Sequence, residues 1–366
     1  MNRDSDGPAP LNAQPAQVGI VVNPMSGRDV RRLAAHASNM THEMKRDMVA
    51  RIAAGADACG AGVLHVAREP FRIAVAAIEN MDLKARLNVI DNAVHNTARD
   101  TETTVAAFLR QGCRVIVSLG GDGTNRAIVR ALARAGEAGS EVRLIALSTG
   151  TNNVFPVLAE PTIAGMVAAM AARNLLAGSD AHRRVKVLHV TGRRAGDKAH
   201  PLPDVGLIDA VVLRRDHVGN LLPFDPARMH RLLLTRAEPT AVGVSPIGGL
   251  LEPVAAEEDG GLLLELVAPE DAGPSDRVFS APLSPGLFRT VAVRSATRIP
   301  FGVAVPMQGP GVLALDGDRD HKLPDGHALS IEIRRDGPWL VDLTAAMHWA
   351  VAQGIMRATQ GPPLET

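Results

Sequence analysis

The run Val115-Ile-Val-Ser-Leu-Gly-Gly-Asp-Gly-Thr-Asn125 decides how this chain is read. Its first residues are apolar or small, as in a short buried strand. From Asn125 to about Ala135 an Ala/Arg/Ile/Val/Leu pattern of helical period follows. Strand, glycine-rich turn and helix in that order build a cradle for phosphate. Gly120, Gly121 and Gly123 let the backbone approach an anion and present N–H groups to it. The helix N-terminus behind them adds partial positive charge, and Thr124 a hydroxyl. A carboxylate inside an anion cradle, Asp122, makes sense if it holds a metal or takes up a proton. A tight strand-to-helix turn closed by an Asx hydrogen bond is the alternative.

Two further loops share this character. Residues 18–22, Val-Gly-Ile-Val-Val, read as a buried strand and run into Asn23-Pro24-Met25-Ser26-Gly27. Pro24 biases Asn23 towards an extended shape, and Ser26 and Gly27 offer a hydroxyl and a bare N–H to phosphate. Residues 144–147 read as another strand, followed by Ser148-Thr-Gly-Thr-Asn-Asn-Val-Phe-Pro156. There Gly150 supplies an unusual backbone angle, while Thr151, Asn152 and Asn153 supply hydroxyl and amide groups suited to ribose and purine edges. Polar clusters after strands are also ordinary turns.

Together these loops resemble the ATP-NAD kinase and diacylglycerol kinase superfamily, in which Gly-Gly-Asp-Gly-Thr lies between donor and acceptor and Asn-Pro-x-Ser-Gly ends the first strand beside the nucleotide. Residues 148–155 resemble the Gly-Thr-x-Asn-Asp-Phe segment of lipid kinases. They look still more like the ATP-NAD/AcoX kinase group associated with acetoin catabolism, as do residues 31–38, Arg-Arg-Leu-Ala-Ala-His-Ala-Ser. The resemblance implies an α/β plus all-β fold of two domains. A doubly wound, mostly parallel N-terminal sheet is joined to an antiparallel C-terminal β-sandwich, with the active site in the cleft between them. It implies ATP and Mg²⁺, with the phosphates held by Asn23, Ser26, Gly27, Gly120, Gly121, Gly123 and Thr124. Asp122 becomes the base for an acceptor hydroxyl. Gly150, Thr151, Asn152, Asn153 and Asp209 become nucleotide or acceptor contacts.

The first acceptor on this reading is the 2′-hydroxyl of NAD, giving NADP. A lipid, a sphingoid base or another small alcohol is the alternative acceptor, and a non-catalytic nucleotide-binding accessory protein is a third reading. Residues 206–212 stand where NAD kinases carry an Asn-acid pair on a strand: Asp209 matches the acid, but Ile208 stands in place of Asn. Residues 243–249 loosely resemble a Ser and Gly-Gly turn lining the cleft. Leu315-Asp316-Gly317-Asp318 resembles the superfamily's Asp-Gly-Glu element, implying acid or metal-linked roles for Asp316 and Asp318. Asp-Gly between apolar residues is equally a hairpin signal. Relatives form dimers or tetramers, which implies a homo-oligomer.

Composition narrows the classes. A chain of 366 residues accommodates about two domains, and 46% apolar residues suffice for their cores. Zero formal net charge gives no field to attract nucleic acid or an anionic membrane. Tyr is absent, so base-stacking platforms are not expected. Cys59 and Cys113 form no CxxC or Cys/His set, which suits core thiols in a reducing compartment. No direct metal-ligand motif, Walker loop or Gly-x-Ser-x-Gly elbow occurs. Residues 1–17 lack an apolar core and are expected as a disordered tail, neither signal nor anchor. No apolar run approaches the roughly 20 residues of a membrane helix. A soluble, cytoplasmic protein binding a small-molecule nucleotide follows, with no nucleic-acid partner and no stable membrane association.

Between 18 and 182 the pattern alternates. Strands are predicted at 18–22, 62–66, 87–90, 115–119 and 144–147, and helices at 41–54, 70–81, 100–111, 125–135 and 163–176. This is the pattern of a parallel sheet covered on both faces, whose ligands bind beyond the carboxyl ends of the strands. From 183 to 343 a β-rich domain is expected, with strands at 184–190, 205–213, 262–267, 289–293, 312–315, 328–334 and 339–343 and an exposed loop at 192–204. Residues 344–366 are read as a helix and tail returning towards the first domain.

Overall fold

A computed structural model describes residues 15–28, 39–192 and 204–356. Residues 31–38, whose sequence is AcoX-like, most of the predicted loop at 192–204 and the end of the C-terminal tail lie outside the described residues.

Strands β1 (Gln17–Val22), β2 (Val63–Ala67), β3 (Arg86–Ile90), β4 (Val115–Gly120) and β5 (Arg143–Ser148) pair in parallel in the order β3-β2-β1-β4-β5. All residues of β4 and β5 are buried, as continuous apolar runs covered on both faces must be. Helices α1 (His42–Ala58) and α2 (Ile73–Ile78) cover one face. Helices α3 (Ala98–Arg110) and α4 (Asp122–Arg134) cover the other, followed by a short α5 (Glu137–Ser140). Helix α6 (Pro161–Ala172) returns to the first face and packs on α1. The chain builds outward from β1 to β3, then crosses back to place β4 against the other edge of β1. The loops after β1 and β4 therefore diverge at the switch point where open α/β sheets bind ligands.

After β6 (His182–Arg184) the chain becomes β-rich. Its strands are β7 (Val187–Thr191), β8 (Asp204–Gly206), β9 (Asp209–Leu213), β10 (Met229–Leu234), β11 (Gly261–Val267), β12 (Arg277–Ser284), β13 (Leu287–Ile299), β14 (Val305–Gln308), β15 (Gly311–Leu315), β16 (Asp318–Leu323) and β17 (Ala328–Arg334), with a short helix α7 (Ser245–Gly249). They form two antiparallel sheets, β12-β13-β11-β10-β9-β15-β16 and β14-β17-β7-β8. Leu188, Val212, Leu233, Met307, Leu313 and Ile331 close a common core between them, as in a sandwich. The chain then returns. Strand β18 (Trp339–Val341) pairs in parallel with β5, and α8 (Leu343–Ala352) packs on α6.

Several sequence expectations change. Residues 184–190 are not one strand: the segment divides at Val185 and Lys186, so β6 joins the first sheet and β7 the sandwich. Residues 205–213 divide at Leu207 and Ile208, because the Asp316 carboxylate takes the N–H groups of Leu207, Ile208 and Asp209. Strand β18, expected with the second unit, lies in the first sheet. The predicted tail ends earlier than residue 17: Gln17 opens β1, and the Ala16 carbonyl accepts the N–H of Gly62. Asp204, placed in an exposed loop, is buried. Helix α4 starts at Asp122 rather than Asn125, so the Gly-Gly-Asp-Gly-Thr turn is itself the first helical turn.

Candidate functional site

The loop after β1 is fixed from below. Lys45, on the buried face of α1, is wholly enclosed, and its Nζ donates to the carbonyls of Asn23 and Pro24 at 2.8 Å and of Ser26 at 2.7 Å. Asn23 bridges to the next loop: its Nδ2 donates to Thr124 Oγ1 at 2.9 Å, while its Oδ1 accepts the N–H of Met25. The Ser26 hydroxyl lies 2.6 Å from that of Thr149. The three loops predicted from the sequence are thereby tied into one surface.

The loop after β4 meets the loop after β5 backbone to backbone. A β-carbon on Gly150 would sit 2.8 Å from the Cα of Gly121, and one on Gly120 only 2.4 Å from the side chain of Thr124. Asp122, Gly123 and Thr124 form the first turn of α4, whose N–H groups have no acceptor within the helix. Asn153 donates to Ser148 Oγ at 2.7 Å. Asn152 reaches the second unit, donating to the carbonyl of Leu283 at 3.0 Å and to Ser284 Oγ at 3.1 Å. The side-chain oxygens of both asparagines are buried and accept no hydrogen bond.

Asp122 faces inward from the helix start and is only 9% exposed. Oδ1 accepts the N–H of Phe155 at 2.9 Å, and Oδ2 that of Val154 at 3.1 Å. Burial pushes its carboxyl up to about 7, and the negative charge of Asp316 adds to this. The two N–H groups and the Arg236 guanidinium, which lies over the Phe155 ring, pull the other way but do not cancel it.

Asp316 and Gly317 occupy left-handed conformations, φ 48° and 89°, in the two-residue turn between β15 and β16. The Asp-Gly pair is thus a hairpin turn, and Asp316 and Asp318 at its ends line the cleft. The Asp316 carboxylate accepts the N–H groups of Ile208 at 2.7 Å, Leu207 at 2.8 Å and Asp209 at 3.2 Å, and so holds the broken strand in place. Burial raises it to about 6, against the pull of Arg126 and those three N–H groups. Asp318 is half-exposed, and a β-carbon on Gly123 would meet its carboxylate at 3.2 Å.

Arg126, one turn beyond Asp122 on α4, joins the two units. Its buried guanidinium donates to Asp204 at 2.8 Å, Asp320 at 2.7 Å and the Val205 carbonyl at 2.7 Å. Asp204, Asp320 and His321 lie close enough together for a metal, but Arg126 already supplies the positive charge there.

These loops wall a cleft of ≈ 370 Å³ that also takes in residues 92–101. Residues 23–27, 121–124 and 150–153 line it together with Asp316 and Asp318. Gly120 stays buried in β4. Asp209 lies instead on a second, smaller cavity, which shares Asp122, Asn152 and Asp316 with the cleft. Lys45 and Arg126 went unnoticed in the sequence. The signal for Lys45 was a charge falling in register with Val49, Ile52 and Ala56 on an otherwise apolar helix face.

Among the described residues, Arg68 is the one basic side chain on the cleft, and it pairs with Asp91 at 3.4 Å. Three carboxylates, those of Asp122, Asp316 and Asp318, converge there. A polyphosphate could approach this surface only with divalent cations between them. Asp318, half-exposed and with Oδ2 3.8 Å from Arg126, could hold such a cation.

Fold and cleft together define a kinase-like protein, with the α/β half and β-rich half of that class. The ATP-NAD kinase N-terminal domain model matches residues 18–174, and the Acetoin catabolism protein X C-terminal domain model matches residues 186–336. Acetoin catabolism protein X of Cupriavidus necator is 31% identical over 355 residues, covering 94% of this chain and 95% of that protein. The chain belongs to the acetoin catabolism protein X family. A putative diacylglycerol kinase from Bacillus anthracis aligns with a TM-score of 0.46 at 11% identity, over 89% of this chain and 97% of that one. A second diacylglycerol kinase structure from that organism gives 0.42 at 11% identity, over 89% and 96%. No helix among the described residues is long and apolar enough to cross a membrane.

Proposed function

We propose that this protein is a phosphotransferase that moves the γ-phosphoryl group of ATP onto an alcohol. The observation that carries the reading is the position of Asp122. Its carboxylate stands at the start of α4, on the boundary between the large cleft and the small cavity, and is held by two backbone N–H groups.

Phosphoryl transfer asks a protein mainly for positioning and charge stabilisation. The first turn of α4 presents unpaired N–H groups to the phosphates, and residues 26–27 close the opposite side. Asp318 is the side chain that would hold Mg²⁺, which would supply charge neutralisation. The carboxyl of Asp122, raised to about 7, is poised near neutral pH to orient an acceptor hydroxyl and take its proton. Asn152, with a buried side-chain oxygen that accepts no hydrogen bond, stands ready to receive one from a ligand.

The 2′-hydroxyl of NAD is the first acceptor to test, since the N-terminal half matches the ATP-NAD kinase domain. The Asn that the resemblance calls for is replaced by Ile208, whose side chain is fully buried in the core. Asp209 therefore faces an acceptor without that partner. The test supplies purified protein with MgATP and NAD, or with a panel of other alcohols, and compares wild type with Asp122→Asn. Transfer by wild type and its loss in a folded variant supports the reading. Near-normal transfer by the variant refutes the base assignment, and tight ATP binding without transfer to any acceptor favours a non-catalytic nucleotide-binding role.

A further inference from the structure

We propose that the acceptor is a small, uncharged alcohol of about three to five carbons, bound in the smaller cavity that shares Asp122 with the main cleft. This rests on the phosphotransferase reading and adds the class of acceptor to it.

Size is the first argument. The cavity offers ≈ 50 Å³. One water needs roughly 10–15 Å³ on this measure, so the space equals about three to five waters, the bulk of a short-chain diol or hydroxyketone. A nucleoside does not enter it. Position is the second. Asp122, Asn152 and Asp316 line both spaces, so a hydroxyl seated in the small one and a donor in the large one adjoin the same carboxylate.

The walls supply the third argument. The lining combines the carboxylates of Asp122, Asp209 and Asp316 with the apolar residues Val154, Leu222, Phe224 and Val244. Such a chamber takes hydroxyl groups, which donate to the carboxylates, together with a short run of alkyl carbon. It rejects anions: among the described residues its one cation is Arg319, committed to Asp216 at 2.8 Å and to the Asn220 carbonyl at 2.8 Å. That ion pair also stiffens the loop carrying Leu222 and Phe224, with the Arg319 guanidinium over the Phe224 ring at 4.6 Å. In the transfer, the acceptor O–H gives its proton to Asp122, its oxygen forms the new O–P bond, the β,γ-bridging O–P bond of ATP breaks, and ADP leaves through the large cleft.

The test uses propane-1,2-diol, hydroxyacetone and 2,3-butanediol as probes, by ligand-observed NMR for binding and by ADP release with MgATP for transfer. Wild type is compared with Val242→Trp, which places an indole in the cavity from a half-buried position, and with Leu222→Ala, which opens its exposed wall. Wild type should bind and phosphorylate at least one probe, and Val242→Trp should lose at least about tenfold in both while its MgATP affinity stays unchanged. Leu222→Ala should admit longer alcohols. The acceptor assignment is overturned if wild type binds MgATP but none of the probes. It is also overturned if NAD or a long-chain alcohol is phosphorylated equally by wild type and Val242→Trp, although the phosphotransferase reading then stands. Failure of folded wild type to bind MgATP removes that reading itself, and probe binding lost in Val242→Trp would separately locate a small-alcohol site.

Discussion

Replacing Asp122 by Asn should stabilise the protein at alkaline pH while abolishing its chemistry. The carboxyl is raised from 3.8 to about 7, with burial the largest cause. Between those values the native protein keeps a proton that the unfolded chain releases, so stability falls as pH rises through this window and levels off above it. About three pKa units at ~1.4 kcal/mol each amount to a penalty on the order of 4 kcal/mol that is fully present only above pH 7. Asn keeps one oxygen for the N–H groups of Phe155 and Val154, sets its NH2 against the Val154 N–H at a cost that does not vary with pH, and does not ionise. Denaturant unfolding of both proteins at pH 5 and pH 8.5 reads the effect. The stability of the variant relative to wild type should rise by about 2–3 kcal/mol between these pH values. Parallel pH profiles for the two proteins would refute the burial argument and with it the poise of Asp122 near neutrality.

Other perturbations follow from the same geometry. Arg126→Met strips the buried carboxylate of Asp204 of its main partner and should cost about 3–5 kcal/mol in denaturant unfolding. Arg126→Lys should not restore it, since one ammonium cannot span Asp204, Asp320 and the Val205 carbonyl. Lys45→Met leaves three inward-facing carbonyls unpaired and should weaken nucleotide binding, measured calorimetrically, together with a stability loss of about 1–3 kcal/mol. Gly150→Ala forces a methyl to 2.8 Å from Gly121 and should separate the two loops, losing transfer at a stability cost of about 1–3 kcal/mol.

The parallel sheet was legible because β1, β2, β4 and β5 are short apolar runs between amphipathic helices, a pattern that neighbouring residues alone establish. The three loops were legible because glycine, hydroxyl and amide residues follow those strands directly. The second unit was harder to read. Strand β16 went unseen because Arg319 and His321 occupy its inward positions beside Leu323, and their burial depends on Asp216 and Asp204 far away in sequence. The break after Gly206 was invisible for the same reason, since it answers to Asp316 more than a hundred residues later. Asp316 itself illustrates both limits: its Asp-Gly turn was readable, but its role in holding the backbone of the broken strand emerges only from the fold.

The most direct measurement is the pH profile of γ-phosphoryl transfer from MgATP, in wild type and in Asp122→Asn, with whichever alcohol proves to be the acceptor. The account predicts a rate that climbs with pH to a plateau, with its midpoint near the raised carboxyl at about 7. It also predicts that the variant lacks this rise and falls below wild type by about 10²–10⁴-fold on the plateau. A variant that transfers phosphate as fast as wild type, with the same pH profile, would contradict it.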